Sequence, residues 1–174
     1  ARRMPHPALF AFLGSTIGNF YPPAAIRLLK RVRGAMVPSD RFLMGVDLRK
    51  DVAIIEAAYN DSAGLTAEFN RNMLRVLNHE LGADFDPLAF EHWAFYEGEA
   101  HRIEMHLVSV REQWVMVPGI GLIHFARGES IRTEISTKYD SASVAELFEA
   151  ANFRIEAWPT DPLTPFGLVV GAPV

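Results

Sequence analysis

An α/β domain whose sheet is interrupted by an inserted α+β lobe is the fold this sequence predicts, and three observations predict it. Residues 8–19, ALFAFLGSTIGN, carry an apolar run without alternation into a turn rich in glycine and hydroxyl side chains, the pattern of a buried parallel strand opening onto a ligand-approach loop. A helical period follows from Pro22, and a second apolar run starts at Phe42; strand, helix and strand make a crossover unit. From His101 the apolar period drops toward two, which assigns the middle of the chain to antiparallel strands.

The first turn carries the first functional signal. Open α/β sheets bind ligands at the carboxyl ends of their strands, where this chain places Gly14, Ser15, Thr16, Gly18 and Asn19. The glycines let backbone approach a bound molecule, and Asn19 offers both a donor and an acceptor. An ordinary glycine-containing turn between strand and helix is the competing reading. Pro22 and Pro23 suit a first helical turn, and Ala25, Ile26, Leu29 and Val32 continue a helix over 22–37. Pro38, Ser39 and Asp40 break the chain before the second strand, which ends at Asp47.

The lobe is expected over 64–139, with 1–63 and 140–174 forming the sheet portion and the cleft lying between lobe and sheet. DVAIIEAAYND reads as a helix ending near Tyr59, and Gly64 breaks it. Thr66 is the expected cap of AEFNRNMLRVLNHELG, with Phe69, Met73, Leu74 and Leu77 as its apolar stripe and Gly82 as its C-cap. Asn60, Asp61, Asn70 and Asn72 are expected at caps and on solvated faces. Phe90, Trp93, Phe95 and Tyr96 are expected to form core between the two lobes. RIEMHLVSV, QWVMVPG, IGLIHFARGE and SIRTEISTKY then read as a meander turning at Gly119 and Gly128-Glu129. Glu134 and Ser136 share one face of the last of these strands, where a carboxylate and a hydroxyl can hold a polar ring; a solvated edge pair is the alternative. Ser141 and Ser143 introduce a short capped helix, and RIEAWPTD and FGLVVGAP supply closing strands.

Composition narrows the function. In 174 residues, 49% are hydrophobic, enough for one domain with a real core. A net charge of -4 without a long basic run gives no electrostatic reason to expect nucleic acid. No apolar stretch approaches the roughly 20 residues of a membrane-spanning helix, and ARRMPHP lacks the apolar segment of a signal peptide. The lack of cysteine excludes disulfides, zinc-thiolate sites and thiol catalysis, and fits a cytoplasmic protein. The chain does not begin with Met and reaches its first strand within about ten residues, so sequence is expected upstream of it.

Other chemistries find little support. Glu104, His106 and His124 could gather as metal ligands from neighbouring strands, but no HExxH spacing occurs and cross-strand surface residues are the better reading. There is no GxSxG elbow, and GSTIGN matches neither GxxxxGK nor GxGxxG. No carboxylate pair suggests glycoside chemistry.

Seven segments together resemble the histidine Nα-methyltransferases of ergothioneine biosynthesis. They are FLGSTIGN at 12–19, GVDLRKD at 45–51, AYND at 58–61, TAEFNRNMLRVLN at 66–78, RIEMHL at 102–107, GESIRTEISTKY at 128–139 and the late AANF...W segment. The resemblance spans nearly the whole chain and keeps the family's order. It implies a class I methyltransferase (Rossmann-like) sheet, here partial, with the inserted lobe binding substrate, and S-adenosylmethionine as methyl donor. It also implies that Asn19 and Tyr59 grip the amino and carboxylate groups of L-histidine, that Glu134 and Ser136 hold the imidazole with Met105 as an apolar wall, and that Gly14 marks a backbone approach to the donor. The family's acidic and glycine-rich donor loop, its ribose-binding acid and a substrate-gripping tyrosine pair normally precede the GSTIGN strand. The resemblance therefore implies that these 174 residues alone bind the donor poorly and turn over little. Within the family another amino acid or amine is an alternative acceptor; outside it, a non-catalytic module pairing through the edge of its first strand is the other reading.

Overall fold

The computed structural model describes residues 5–160 and 165–174; the start of ARRMPHP and the end of RIEAWPTD lie outside the described residues. In chain order the elements are β1 (Leu9–Phe12), α1 (Pro22–Gly34), β2 (Arg41–Asp47), α2 (Val52–Tyr59), α3 (Leu65–Leu81), β3 (Phe90–Glu97), β4 (Arg102–Ser109), β5 (Gln113–Val117), β6 (Gly121–Phe125), β7 (Ser130–Thr137), α4 (Ser141–Ala150), β8 (Phe153–Ala157) and β9 (Phe166–Pro173). They form two compact units, one of Ala1–Lys50, Gly98–Arg102 and Ser136–Val174, the other of Asp51–Glu97 and Ile103–Ile135. This division differs from the expected 64–139 lobe. Residues 51–63 group with the second unit because α2 packs on β3, a pairing that helical periodicity cannot reveal.

The first unit is built on a mixed sheet in the order β1-β2-β9-β8. β1 and β2 pair in parallel, Leu9 opposite Arg41 through Phe12 opposite Met44, with α1 as the crossover. β9 runs antiparallel to both β2 and β8. β1 occupies an edge of this sheet, as expected with sequence upstream of it, and is half-exposed, with Leu9 63% accessible. α1 stops at Gly34, short of the expected 37, where the Ala35 N–H turns back onto the carbonyls of Val32 and Arg33. Buried Asp40 ties the start of β1 to the turn before β2: its carboxylate accepts from the Ala8 N–H and the Val37 N–H, each at 2.8 Å. Ile17, Leu29, Phe42, Met44, Val46, Phe148, Phe153 and Val169 make the core, with the Phe42 and Phe153 rings stacked at 5.2 Å. Asp140, rather than Ser141, caps α4; Ser143 completes a reciprocal capping box with it.

In the second unit, β4 lies between β3 and β7, while β5 and β6 form a separate hairpin from Gln113 opposite Phe125 to Val117 opposite Gly121. The expected single meander is therefore split. Period two identifies strands but does not say which of them pair, and β3 was hidden in a segment whose aromatic content read as core. Phe90 is buried as expected, but Trp93 is 52% exposed and stacks on Phe95 at 4.5 Å. Gly119 and Gly128 are the turns, at φ +84° and +87°.

α3 corrects two further expectations. Its N-cap is Gly64, at φ +72°, and Thr66 lies inside the helix. The Asp61 carboxylate serves the helix start, accepting from the Leu65 and Thr66 N–H groups at 2.9 and 2.8 Å. Of the expected stripe, Leu74 is buried and Leu77 packs beside it, whereas Phe69 is 67% exposed and Met73 is also exposed. The helix turns Asn70 inward instead, so this amide is not on a solvated face. Gly82 does close the helix, in the left-handed conformation.

Candidate functional site

The loop after β1 is fixed by short-range polar contacts. Gly14 turns at φ +76°. Ser15 follows at φ +57° and accepts the Asp47 N–H on its Oγ at 2.6 Å, while Thr16 donates back to the Leu13 carbonyl at 3.2 Å. Thr16–Asn19 form one turn of 3-10 helix in which Ile17 and Gly18 are buried and Asn19 is exposed. Gly18 has a steric reason to be glycine: a Cβ there would lie 2.8 Å from the Thr137 carbonyl oxygen. The glycine allows the loop to press onto the end of β7, one residue beyond Ser136. Gly14 is exposed, and its conformation suits the backbone approach assigned to it.

Ser136 belongs to a buried polar cluster. The Lys138 Nζ donates to the Ser136 Oγ at 2.8 Å and bonds the Asp47 Oδ2 at 2.9 Å; the Lys50 Nζ donates to the Asp47 Oδ1 at 2.7 Å. Burial pushes the Asp47 carboxyl up, but the hydrogen bonds and charges of the two lysines outweigh this and hold it below the usual carboxylate range. The main chain reinforces the cluster. The Tyr139 N–H donates to the Asp47 carbonyl at 2.9 Å, and the Arg49 N–H to the Tyr139 carbonyl at 2.8 Å. Burial also drives the Tyr139 phenol up to about 12. A cleft of about 430 Å³ in this unit is lined by Phe20, Ile26, His101, Lys138, Tyr139 and Leu147 among others, but by none of the six residues singled out by the resemblance.

Two of those six come together in the second unit. Tyr59, in the last turn of α2, packs on the buried cluster of Ile55, Ala94, Ile103 and Met105. Its carbonyl faces the His92 Nε2 at 2.8 Å, and the His92 Nδ1 faces the Asn70 Nδ2 at 2.9 Å. A carbonyl only accepts and an amide nitrogen only donates, so these contacts suit the neutral ring with its proton on Nε2. Asn70 also donates to the His106 carbonyl at 3.1 Å. Glu134 is half-buried on β7, two residues before Ser136 and hence on its side of the strand.

The metal reading finds no assembly. Arg132 donates to both oxygens of Glu104, at 2.9 and 3.1 Å, and the His106 ring bridges Glu104 and Ser130. His124 sits on the separate hairpin, beside Glu112 at 3.0 Å. Among the described residues no cluster of three metal-ligating side chains occurs, and no helix is long and apolar enough to cross a membrane.

Sequence reasoning missed Lys138 and Asn70. Lys138 had a signal, since Glu134, Ser136 and Lys138 place three polar side chains at every second position. Asn70 had none, because local pattern cannot distinguish a buried amide from one in water.

The histidine-specific, S-adenosylmethionine-dependent methyltransferase family profile matches residues 1–172. The chain is 43% identical over 169 residues to a histidine N-alpha-methyltransferase of Mycolicibacterium smegmatis and 46% identical over 166 residues to one of Mycobacterium tuberculosis. These alignments cover 95% and 94% of this chain. The chain spans about half the length of these relatives, 53% and 51%. It is also 44% identical over 151 residues to ergothioneine biosynthesis protein 1 of Neurospora crassa, covering 84% of this chain and 17% of that protein. The chain belongs to the histidine-specific, S-adenosylmethionine-dependent methyltransferase family.

Proposed function

We propose that the protein containing these residues transfers methyl groups from S-adenosylmethionine to the α-amino nitrogen of L-histidine, as a step of ergothioneine biosynthesis. The observation that supports this reading is the polar face of β7, where Glu134 and Ser136 place an acid and a hydroxyl at alternate positions of one strand in a chain of this family. Glu134 accepts the ring N–H and Ser136 orients the ring. Met105 supplies an apolar wall beside it, and Asn19 and Tyr59 hold the amino and carboxylate groups. The second unit is read as the main substrate-binding part. A cytoplasmic setting belongs to the same reading and rests on the cysteine-free composition.

The donor, when bound, supplies an electrophilic methyl carbon on a sulfonium. The exposed Gly14 turn fits a backbone approach to it. The residues of this chain do not attack; they align an amine lone pair, so that orientation carries the rate advantage. The α-amino group of a free amino acid is protonated near neutrality, so its proton must leave before the lone pair can be aligned with the methyl carbon. Glu134 favours imidazole over an apolar ring by accepting its N–H, a charge-assisted hydrogen bond that phenyl cannot make.

Calorimetric titration with L-histidine, phenylalanine and tryptophan tests the reading. Histidine is expected to bind about tenfold or more tightly than either comparator, as one such hydrogen bond implies, and Glu134→Ala is expected to erase that margin. An unchanged preference in the variant would remove Glu134 from the site, and no preference in the native chain would remove histidine from the proposal.

A further inference from the structure

We propose that Asn70 and His92 are positioning residues: together they form a polar relay that fixes the spacing of Tyr59 and Met105, and this spacing selects the L enantiomer of the substrate amino acid. The inference rests on Tyr59 and Met105 being substrate contacts, as read above. The relay runs from one main-chain carbonyl to another. The Tyr59 carbonyl lies 2.8 Å from His92 Nε2, and His92 Nδ1 lies 2.9 Å from Asn70 Nδ2. The same Nδ2 donates to the carbonyl of His106, the residue after Met105, at 3.1 Å. Its polarity is determined throughout. A carbonyl only accepts, so His106 requires the nitrogen of the Asn70 amide, and not its oxygen, on this side. That nitrogen gives its second proton to His92 Nδ1, which leaves the ring proton on Nε2 for the Tyr59 carbonyl. Asn70 is 1% exposed, and its Oδ1 is buried without a hydrogen-bond partner among the described residues. The amide is therefore not placed to satisfy its own groups; it serves the two that it joins.

Both ends of the relay are anchored. Asn60 donates to the Ala94 carbonyl at 2.9 Å and accepts the Ala94 N–H at 3.2 Å, which holds the end of α2 to β3. Thr133 Oγ1 donates to the Met105 carbonyl at 3.1 Å, which holds β4 to β7. Tyr59 and Met105 belong to one apolar cluster with Ile55, Ala94 and Ile103, so their side chains follow the backbone that carries them. The relay acts on that backbone: it sets where the Tyr59 ring stands, not what its hydroxyl bonds. With Tyr59 at the amino-acid end of the substrate and Met105 beside its ring, their spacing sets where the α-carbon lies between them. L- and D-histidine carry the same groups and differ only in their arrangement about that carbon. The ratio of their affinities therefore reports the spacing and not the number of groups bound.

The test is titration of the chain with L- and D-histidine. The native chain is expected to prefer the L form by about tenfold or more, as one misplaced hydrogen bond in the D form implies. His92→Phe, which lacks both the donor and the acceptor, is expected to bring the ratio within about threefold. Asn70→Leu should do the same, and the double variant should lower the ratio no further. His92→Gln keeps one donor and one acceptor on neighbouring atoms and should retain most of the native ratio. Single variants that weaken both enantiomers by one factor would make the relay merely structural, and a further fall in the double variant would make the two residues independent. Either result, or a native ratio near one, would overturn the inference and leave the histidine reading intact. Absence of histidine binding by the native chain would overturn both. A measurement on the native chain covers variants that do not fold. With its histidine rings labelled with 15N, His92 should show a pyrrole-type Nε2 and a pyridine-type Nδ1, whereas a proton on Nδ1 would refute the relay.

Discussion

Two glycines of the first unit and four of the second do opposite work. In the first unit, Gly18 and Gly171 stand where neighbouring groups leave no room: a Cβ on Gly18 would lie 2.8 Å from the Thr137 carbonyl oxygen, and one on Gly171 would lie 2.6 Å from the Phe148 ring. In the second, a Cβ at Gly64, Gly119, Gly121 or Gly128 would meet nothing within 4 Å, yet each residue turns at positive φ. Gly18 and Gly171 bring backbone and aromatic surface together, whereas the four glycines of the second unit reverse direction, as Gly14 does in the first. The same residue type therefore predicts different consequences of substitution, one steric and one conformational.

The sharpest challenge to that contrast is Gly18→Ala. The obstruction is backbone, which cannot rotate away, so a loss of about 3 kcal/mol is expected, read as a lower denaturant midpoint at unchanged m value. A loss below about 1 kcal/mol would show that the loop is not pressed against β7 as tightly as the contact implies. Asn70→Ala examines the second unit's dependence on polar side chains. It removes the donors to His92 Nδ1 and the His106 carbonyl and is expected to cost about 2 kcal/mol. Part of the penalty is offset because the Asn70 Oδ1 is buried without a hydrogen-bond partner. A neutral result would mean that the amide's two contacts contribute nothing net.

Gly119→Ala should cost about 1 kcal/mol, the left-handed penalty less the reduced entropy of the unfolded chain. Because no atom stands in the way, Gly119→Asn should recover much of that loss; a failure to recover it would reveal a steric role after all. The smallest effect expected is local and concerns acid. The hydrogen bonds from Thr66, together with the Leu65 N–H, lower the Asp61 carboxyl to about 2. Its folded value lies below its unfolded one, so its contribution is complete above pH 4 and is lost as pH falls toward 2. Relative to their intrinsic rates, amide exchange at Leu65 and Thr66 should accelerate through that window, and Asp61→Asn should largely flatten the dependence. Equal acceleration in the variant would assign the acid sensitivity elsewhere.

These contrasts also mark what local sequence could convey. The crossover of β1, α1 and β2 was legible because unbroken apolar runs flank a proline-led helical period, and the turns at Gly82, Gly119 and Gly128 were legible because their conformations favour glycine. Strand partners were not: RIEMHL alternates in the same way whether it pairs with QWVMV or with β3. The exposure of Phe69 was also hidden, since the buried face of α3 is chosen by what packs on it and not by its own spacing. The candidate site shows the same divide. The shared side of Glu134 and Ser136 follows from period two alone, whereas the burial of Lys138 depends on Asp47, distant in sequence. Asn19, Tyr59 and Met105 acquired roles only through whole-segment resemblance, because no single residue among them announces its chemistry.

The position of β9 between β2 and β8 has a consequence for synthesis. Residues 51–135 leave the ribosome well before residues 166–173, so the second unit has its own segments in hand while β2 still lacks its antiparallel neighbour. Phe42, Met44 and Val46, fully sheltered in the finished sheet, are exposed in the nascent chain for that interval. Emergence of residues 166–173 is thus the event that closes the first unit, and an arrested chain lacking β9 should be captured by holdase chaperones through β2.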